Sequence, residues 1–257
     1  MDRAFADTVA RFAIPRALPE AMLEGLAWDA AGRRYETLAE LLDYAVRVAG
    51  AVGAMMAVLM GRRAPEVVAR AYDLGMAMQL SNIARDVGED AHAGRLYLPP
   101  AWLREVDINP ETWLANPVHN KALGTVIRRL LRSADLLYQR ADAGIYELPL
   151  PCRPGFRAAR GLYAEIGREV RRRGFDPVSC RAVVPLRRKA MVIARTLFAT
   201  AVAETVEPAT PLLAARFLVE ALGRGGRRRA AAAGRANHRS NTEPELYRSG
   251  NLGDRSI

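Results

Sequence analysis

Lysine is nearly missing from this sequence. Of 38 basic residues, only Lys121 and Lys189 are not arginine. Such uniformity follows genomic base composition as readily as function, so it carries no functional weight by itself. Cysteine is scarce too: Cys152 and Cys180 stand far apart with no CxxC spacing. That argues against a thiolate zinc site and against a disulfide scaffold, and makes a reducing compartment the default. His92, His119 and His238 are scattered and form no ligand pattern. Aromatics make up 7% of the chain, and strand-like alternation is hard to find. No secretory signal pattern is visible at the N-terminus. The most apolar window, residues 48–61, is too short for a membrane span and is flanked by arginines, so a buried helix is expected there.

What the chain does have is hydrophobic content of 50% and abundant alanine. This predicts an all-α domain with one substantial core. Helices are expected at 2–13, after Ile14 with Pro19 in the first turn, at 38–60, 65–90, 119–147, 156–173 and 185–204. Thr37 with Glu40 three residues on forms a capping-box pattern for the third. The stretch "AGRLYLPPAWL" reads as a loop, with Pro99 and Pro100 ending any helix. The expectation is about seven helices in residues 1–222. After Leu222 the composition turns to Gly, Arg, Ser and Asn, and 223–257 is read as a disordered basic tail. It holds eight arginines against Glu243, Glu245 and Asp254, half of the net charge of +10. The tail lacks interleaved aromatics or a recognisable module, so nucleic acid is not expected as a partner.

The segment "MQLSNIARDVGEDAHAGRLYLP" (78–99) is different in kind. At about 100° per residue, Gln79, Asn82, Asp86 and Asp90 fall within about 80° of one helix face. Glu89 lies at the edge of that arc, with Arg85 beside it. Two stacked carboxylates and an amide oxygen, without sulfur or imidazole, suit a hard cation; Mg²⁺ is the natural choice because it leaves positions for water and phosphate. Arg85 and Arg95 could grip the same phosphate through paired hydrogen bonds. A lone DxxxD pattern is more often a solvated charged face with i,i+4 pairs. The added Asn82, Gln79 and "GRLYLP" point beyond that.

"QLSNIARDVGED…GRLYLP" resembles the second aspartate-rich motif of the squalene and phytoene synthase family. "RRYETLAELLDYAVRVAGAVGAMM" (33–56) and "AARGLYAEIGREVRRRGFDPVSCRAVVPLRRKA" (158–190) are similar to two further segments of that family. The resemblance covers about residues 2–203. Ala45 and Val46 depart from it, standing where the family usually has Cys and Tyr.

The resemblance implies an isoprenoid synthase helical bundle and a head-to-head prenyltransferase. Two molecules of geranylgeranyl diphosphate would condense through a cyclopropyl intermediate to phytoene, a step of carotenoid biosynthesis. Asn82, Asp86 and Asp90 would bind Mg²⁺, with Mn²⁺ as an alternative. Gln79, Arg85, Tyr163, Arg181 and Lys189 would contact substrate or its diphosphate, and Tyr44 would sit near the developing carbocation. The glycines and alanines of "VAGAVGAMM" would leave room for a polyprenyl chain; close helix packing explains them equally well. The family's first aspartate-rich motif is absent from the sequence. Met1 is therefore expected to fall inside the family's domain, in a truncated chain with little or no activity. Squalene or dehydrosqualene synthesis, or a non-catalytic assembly role, are the alternatives. A cytoplasmic location with peripheral contact to the inner membrane would suit the lipid-soluble product.

Overall fold

The computed structural model describes residues 2–198 and 211–220. The basic tail at 223–257 lies outside the described residues. Among them the chain is helical and has no strand. The helices are α1 (Asp2–Phe12), α2 (Ala17–Ala30), α3 (Leu38–Ala45), α4 (Ala51–Leu59), α5 (Pro65–His92), α6 (Pro100–Arg104), α7 (Pro110–Ala115), α8 (Lys121–Tyr146), α9 (Arg153–Arg172) and α10 (Leu186–Phe198). Residues 213–220 are also helical.

Capping follows the sequence. Thr37 accepts the Glu40 backbone N–H at 3.3 Å. The reciprocal arm differs from the expected box: Glu40 Oε2 accepts from the backbone N–H of Glu36, at 3.0 Å, one residue upstream of the cap. Asn109 and Asn120 cap α7 and α8 through their side-chain oxygens. Pro100 does not end a helix. It opens α6, as Pro110 opens α7, because a first-turn proline forfeits only an N–H that has no helical partner.

α3 and α4 are one helix of 22 residues, Leu38–Leu59, joined by a π-helical turn at Val46–Gly50. The apolar stretch is therefore longer than the 48–61 window suggested. By length and composition it could cross a membrane; here 56% of its apolar window is buried inside the protein. α5 is the central element, packed against α8, α4, α9 and the π turn. Tyr72 to Ala77 are buried without interruption, as expected of a helix enclosed on all sides. Its approach to the α3–α4 helix depends on two glycines. A Cβ on Gly75 would lie 2.4 Å from the carbonyl oxygen of Ala49, and one on Gly53 would lie 2.4 Å from that of Ala71. Backbone blocks both positions, so only glycine allows this crossing.

The core also holds a charged group. Asp73, 1% exposed, takes Arg140 Nε at 3.2 Å and Arg70 Nε at 3.3 Å on one oxygen. Its other oxygen, Oδ1, has no hydrogen-bond partner. Burial pushes the Asp73 carboxyl up to about 6 although both arginines pull it down.

Candidate active site

A cavity of about 410 Å³ runs along α5 between α4, α8 and α9. Its wall is apolar, formed by residues such as Val52, Met56, Leu74, Met78 and Ile145. On α5 it extends from Val67 to Asn82, about 22 Å at 1.5 Å per residue. Gln79, Asn82 and Tyr163 supply polar groups at one end, and Arg70 lies toward the other. Gly53 and Gly75 line this cavity and also make the helix crossing, so both readings of the small residues apply.

A second cavity of about 310 Å³ lies past Tyr163, whose side chain borders both. Arg85, Arg181 and Lys189 line it, with Leu162, Ile166 and Val184 among its apolar residues. Four of the sequence-predicted substrate contacts, Arg85, Tyr163, Arg181 and Lys189, are thus brought together from α5, α9, the following loop and α10. The loop reaches α5 because residue 88 has no side chain. A Cβ on Gly88 would lie 2.8 Å from the Pro177 carbonyl oxygen and from Val178 Cα. Asp176 holds the loop's turn by accepting the backbone N–H groups of Val178 at 3.1 Å and Ser179 at 2.9 Å.

The loop delivers Arg181 to the aspartate-rich face. Arg181 Nε donates to Asp86 Oδ1 at 2.8 Å and lies 3.1 Å from Glu89. Arg85 grips the same carboxylate with two parallel bonds, Nε to Oδ1 at 2.7 Å and Nη2 to Oδ2 at 2.6 Å. Burial pushes the Asp86 carboxyl up, but these hydrogen bonds outweigh it and hold Asp86 below its ordinary value. Asp90 is the contrary case. Burial pushes it up to about 6, and negative Asp86, Glu89 and Asp29 add to that; Arg95 opposes them. It borders a small third cavity with Arg95, Tyr97 and Trp113.

The four oxygen-bearing residues of the predicted arc are therefore spread over neighbouring surfaces: Gln79 and Asn82 face the apolar cavity, Asp86 faces Arg85 and Arg181, and Asp90 faces Arg95 and Tyr97. No group of three His, Cys, Asp or Glu side chains is placed to hold a metal among the described residues. The donor set is two carboxylates and the Asn82 amide. Burial, with negative Asp86, Glu89 and Asp29 nearby, makes Asp90 a carboxyl that a cation would favour in its charged form, but Asp86 would have to give up its bonds to Arg85 and Arg181 to share that cation.

Tyr44 is placed elsewhere. It is 2% exposed and does not line the apolar cavity. Its hydroxyl donates to Asp29 Oδ2 at 2.7 Å, and Tyr97 donates to Oδ1 of the same carboxylate at 2.7 Å. The rings of Tyr35, Tyr44 and Tyr97 stack, with Tyr35 and Tyr44 centroids 4.8 Å apart. Burial and the Asp29 hydrogen bond raise the Tyr44 phenol well above its usual range, and Tyr97 is raised to about 12. Asp29 was not legible as a site residue. It sits on α2 outside any motif, and only the fold joins it to Tyr44 and Tyr97.

Comparison with known proteins bears on the family and the fold. The family model for squalene/phytoene synthase matches residues 1–189. A phytoene synthase of Cereibacter sphaeroides is 58% identical over 188 residues, covering 73% of this chain and 53% of that protein. One from Rhodobacter capsulatus is 51% identical over 215 residues, covering 84% of this chain and 63% of that protein. The chain thus spans between half and two thirds of the length of these relatives. Among solved structures, a dehydrosqualene synthase in complex with ligand has a TM-score of 0.63 and 31% identity, covering 71% of this chain and 64% of that one. With matched helices, an aspartate-rich α5 and a shared fold, the chain belongs to the squalene/phytoene synthase family.

Proposed function

We propose that the site in this chain belongs to head-to-head condensation of two geranylgeranyl diphosphates to phytoene, with release of two diphosphates, and that the chain, lacking the first aspartate-rich motif, has little or no turnover by itself. The observation that carries this reading is the junction at Tyr163, where a long apolar cavity meets a basic one whose Arg85 and Arg181 bind Asp86. A polyprenyl tail suits the first and a diphosphate the second. The two relatives above bear the name phytoene synthase.

In this reading Arg85, Arg181, Lys189 and Tyr163 hold the diphosphate whose C–O bond breaks, and the electron pair leaves with it. Asn82, Asp86 and Asp90 would hold Mg²⁺, which when bound neutralises leaving-group charge. The allylic cation alkylates the second substrate's double bond, and a proton is lost as the cyclopropane closes. The second ionisation and rearrangement end with loss of another proton. The apolar wall keeps water from the cations. Tyr44 acts on the site indirectly, as a positioning residue bonded to Asp29, whose negative charge is among those that raise Asp90. A lipid-soluble product suits a cytoplasmic site in peripheral contact with the inner membrane.

The test is binding of geranylgeranyl thiodiphosphate, a slowly ionising analogue, to the 257-residue chain. Mg²⁺ is expected to tighten binding at least tenfold, and Asp86→Asn with Asp90→Asn should abolish that gain. Incubation with geranylgeranyl diphosphate and Mg²⁺ tests turnover: little or no phytoene is expected from a chain without the first aspartate-rich motif, and normal turnover would overturn that expectation. Equal affinity with and without Mg²⁺ would sink the metal assignment. A preference for the farnesyl analogue would favour the dehydrosqualene-type reading that the structural neighbour suggests.

A further inference from the structure

The far end of the apolar cavity carries a charge that the reaction above does not use. Among the described residues that line this cavity, Arg70 alone is charged. It precedes Asn82 on α5 by about 18 Å along the axis, at 1.5 Å per residue. Along α4 the cavity is open, where Val52 and Met56 are exposed. Its far end is closed: Val67, Arg70, Ile145 and Leu148 line it there, and all four are buried.

Arg70 is firmly held. Its Nε lies 3.3 Å from Asp73 Oδ2, and Arg140 Nε of α8 donates to that same oxygen at 3.2 Å. Pulling apart a buried ion pair leaves charge without compensation, so this side chain keeps its place. α8 backs it as well. Gly144 faces Arg70 without a side chain, and a Cβ there would overlap Arg70 Cβ. Met56, Met60 and Met78 elsewhere in the wall are a different material, because an unbranched thioether repacks around whatever enters. A tail that reached past Arg70 would have to press hydrocarbon against a guanidinium and strip its polar partners, which an apolar group cannot replace.

We propose that Arg70, fixed by Asp73, is the stop that sets the longest polyprenyl tail the cavity accepts, and that it excludes chains longer than geranylgeranyl. Asp73 does not line the cavity, so it is a positioning residue that acts through Arg70. The inference rests on the polyprenyl reading of this cavity given above.

The test titrates the full chain, with Mg²⁺ present, with the thiodiphosphates of farnesyl, geranylgeranyl and geranylfarnesyl chains. The unsubstituted chain is expected to bind the geranylgeranyl compound about tenfold or more tightly than the geranylfarnesyl one, since a closed pocket rejects even one surplus methylene by about that factor. Arg70→Met removes the charge at similar volume and leaves Asp73 to Arg140. It should narrow the gap to about threefold or less, while the geranylgeranyl compound itself weakens by no more than about threefold. Asp73→Asn should narrow the gap in the same direction, and it serves alone if Arg70→Met melts too low to titrate. An unchanged gap in a folded variant overturns the proposal, as does a chain that binds the two longer compounds equally before any substitution. Equal weakening of all three compounds also overturns it, because a pair that merely ties α5 to α8 would give that result. If the unsubstituted chain binds none of the three, the polyprenyl reading of the cavity falls instead.

Discussion

The two cavities that meet at Tyr163 share α5 and α9 and differ almost completely in chemistry. The larger is lined by the buried stretch of α5 and by α4, where the backbones touch at Gly53 and Gly75. The smaller is lined where α5 emerges from the core and a loop can lay arginine against it. One helix thus sorts an apolar compartment from a charged one by depth alone. Its stretch from Tyr72 to Ala77 is enclosed on all sides and its last turns are open on one. The lesson is that a site for an amphiphile needs no separate domain. It needs a helix that passes from the core to the surface.

The harshest way to break this contrast is to separate the helices that wall the apolar side. Gly75→Leu should destabilise the fold by about 3 kcal/mol, because even its Cβ meets the Ala49 carbonyl. Urea denaturation measures this, and a loss within 0.5 kcal/mol of zero would show that the crossing can relax.

The charged side is sharpened by its two aspartates, which should respond with opposite sign. Asp90 is raised, so the stability it confers is complete below about pH 4 and is lost as pH rises through about 6. Asp90→Asn should therefore stabilise the metal-free protein at pH 7 by about 2 kcal/mol, after allowing for partial exposure, with the gain vanishing near pH 4. Asp86 is depressed, so its contribution is present above the unfolded carboxyl value and is lost as pH falls through its lower folded one. Asp86→Asn should cost about 1 kcal/mol at pH 7 through its weakened bonds to Arg85 and Arg181. Thermal melts across pH 3–8 give both signs at once, and equal signs would refute the contrast.

Tyr163→Phe probes the junction itself. The change should weaken diphosphate binding by about fivefold while leaving stability within about 0.5 kcal/mol. A large fall in melting temperature with unchanged binding would instead make Tyr163 a packing residue. The smallest effect is expected at Leu23, which is 60% exposed and lines neither compartment: Leu23→Ser should alter stability by less than about 0.5 kcal/mol.

Much of this was legible in advance because it is local. Apolar spacing, the Thr37 cap and the Asn-Asp-Asp pattern are properties of consecutive residues, and α5 and α8 end within two residues of the expected boundaries. The short α6 and α7 were not, because the prolines that start them also serve as stops. Nor was the π turn at Val46–Gly50, whose extra residue per turn leaves no mark in the pattern.

The sequence by itself determined an all-helical chain, the polar face of α5 and the residue types that could serve a diphosphate. Tertiary structure alone decided that Arg181, 95 residues downstream, closes on Asp86, that Asp29 joins Tyr44 to Tyr97, and that Asp86 and Asp90 titrate in opposite directions. The reason is physical. Helix formation and amphipathicity are set by neighbours within a few residues, whereas a carboxyl's charge state depends on burial and on partners the chain brings from far away.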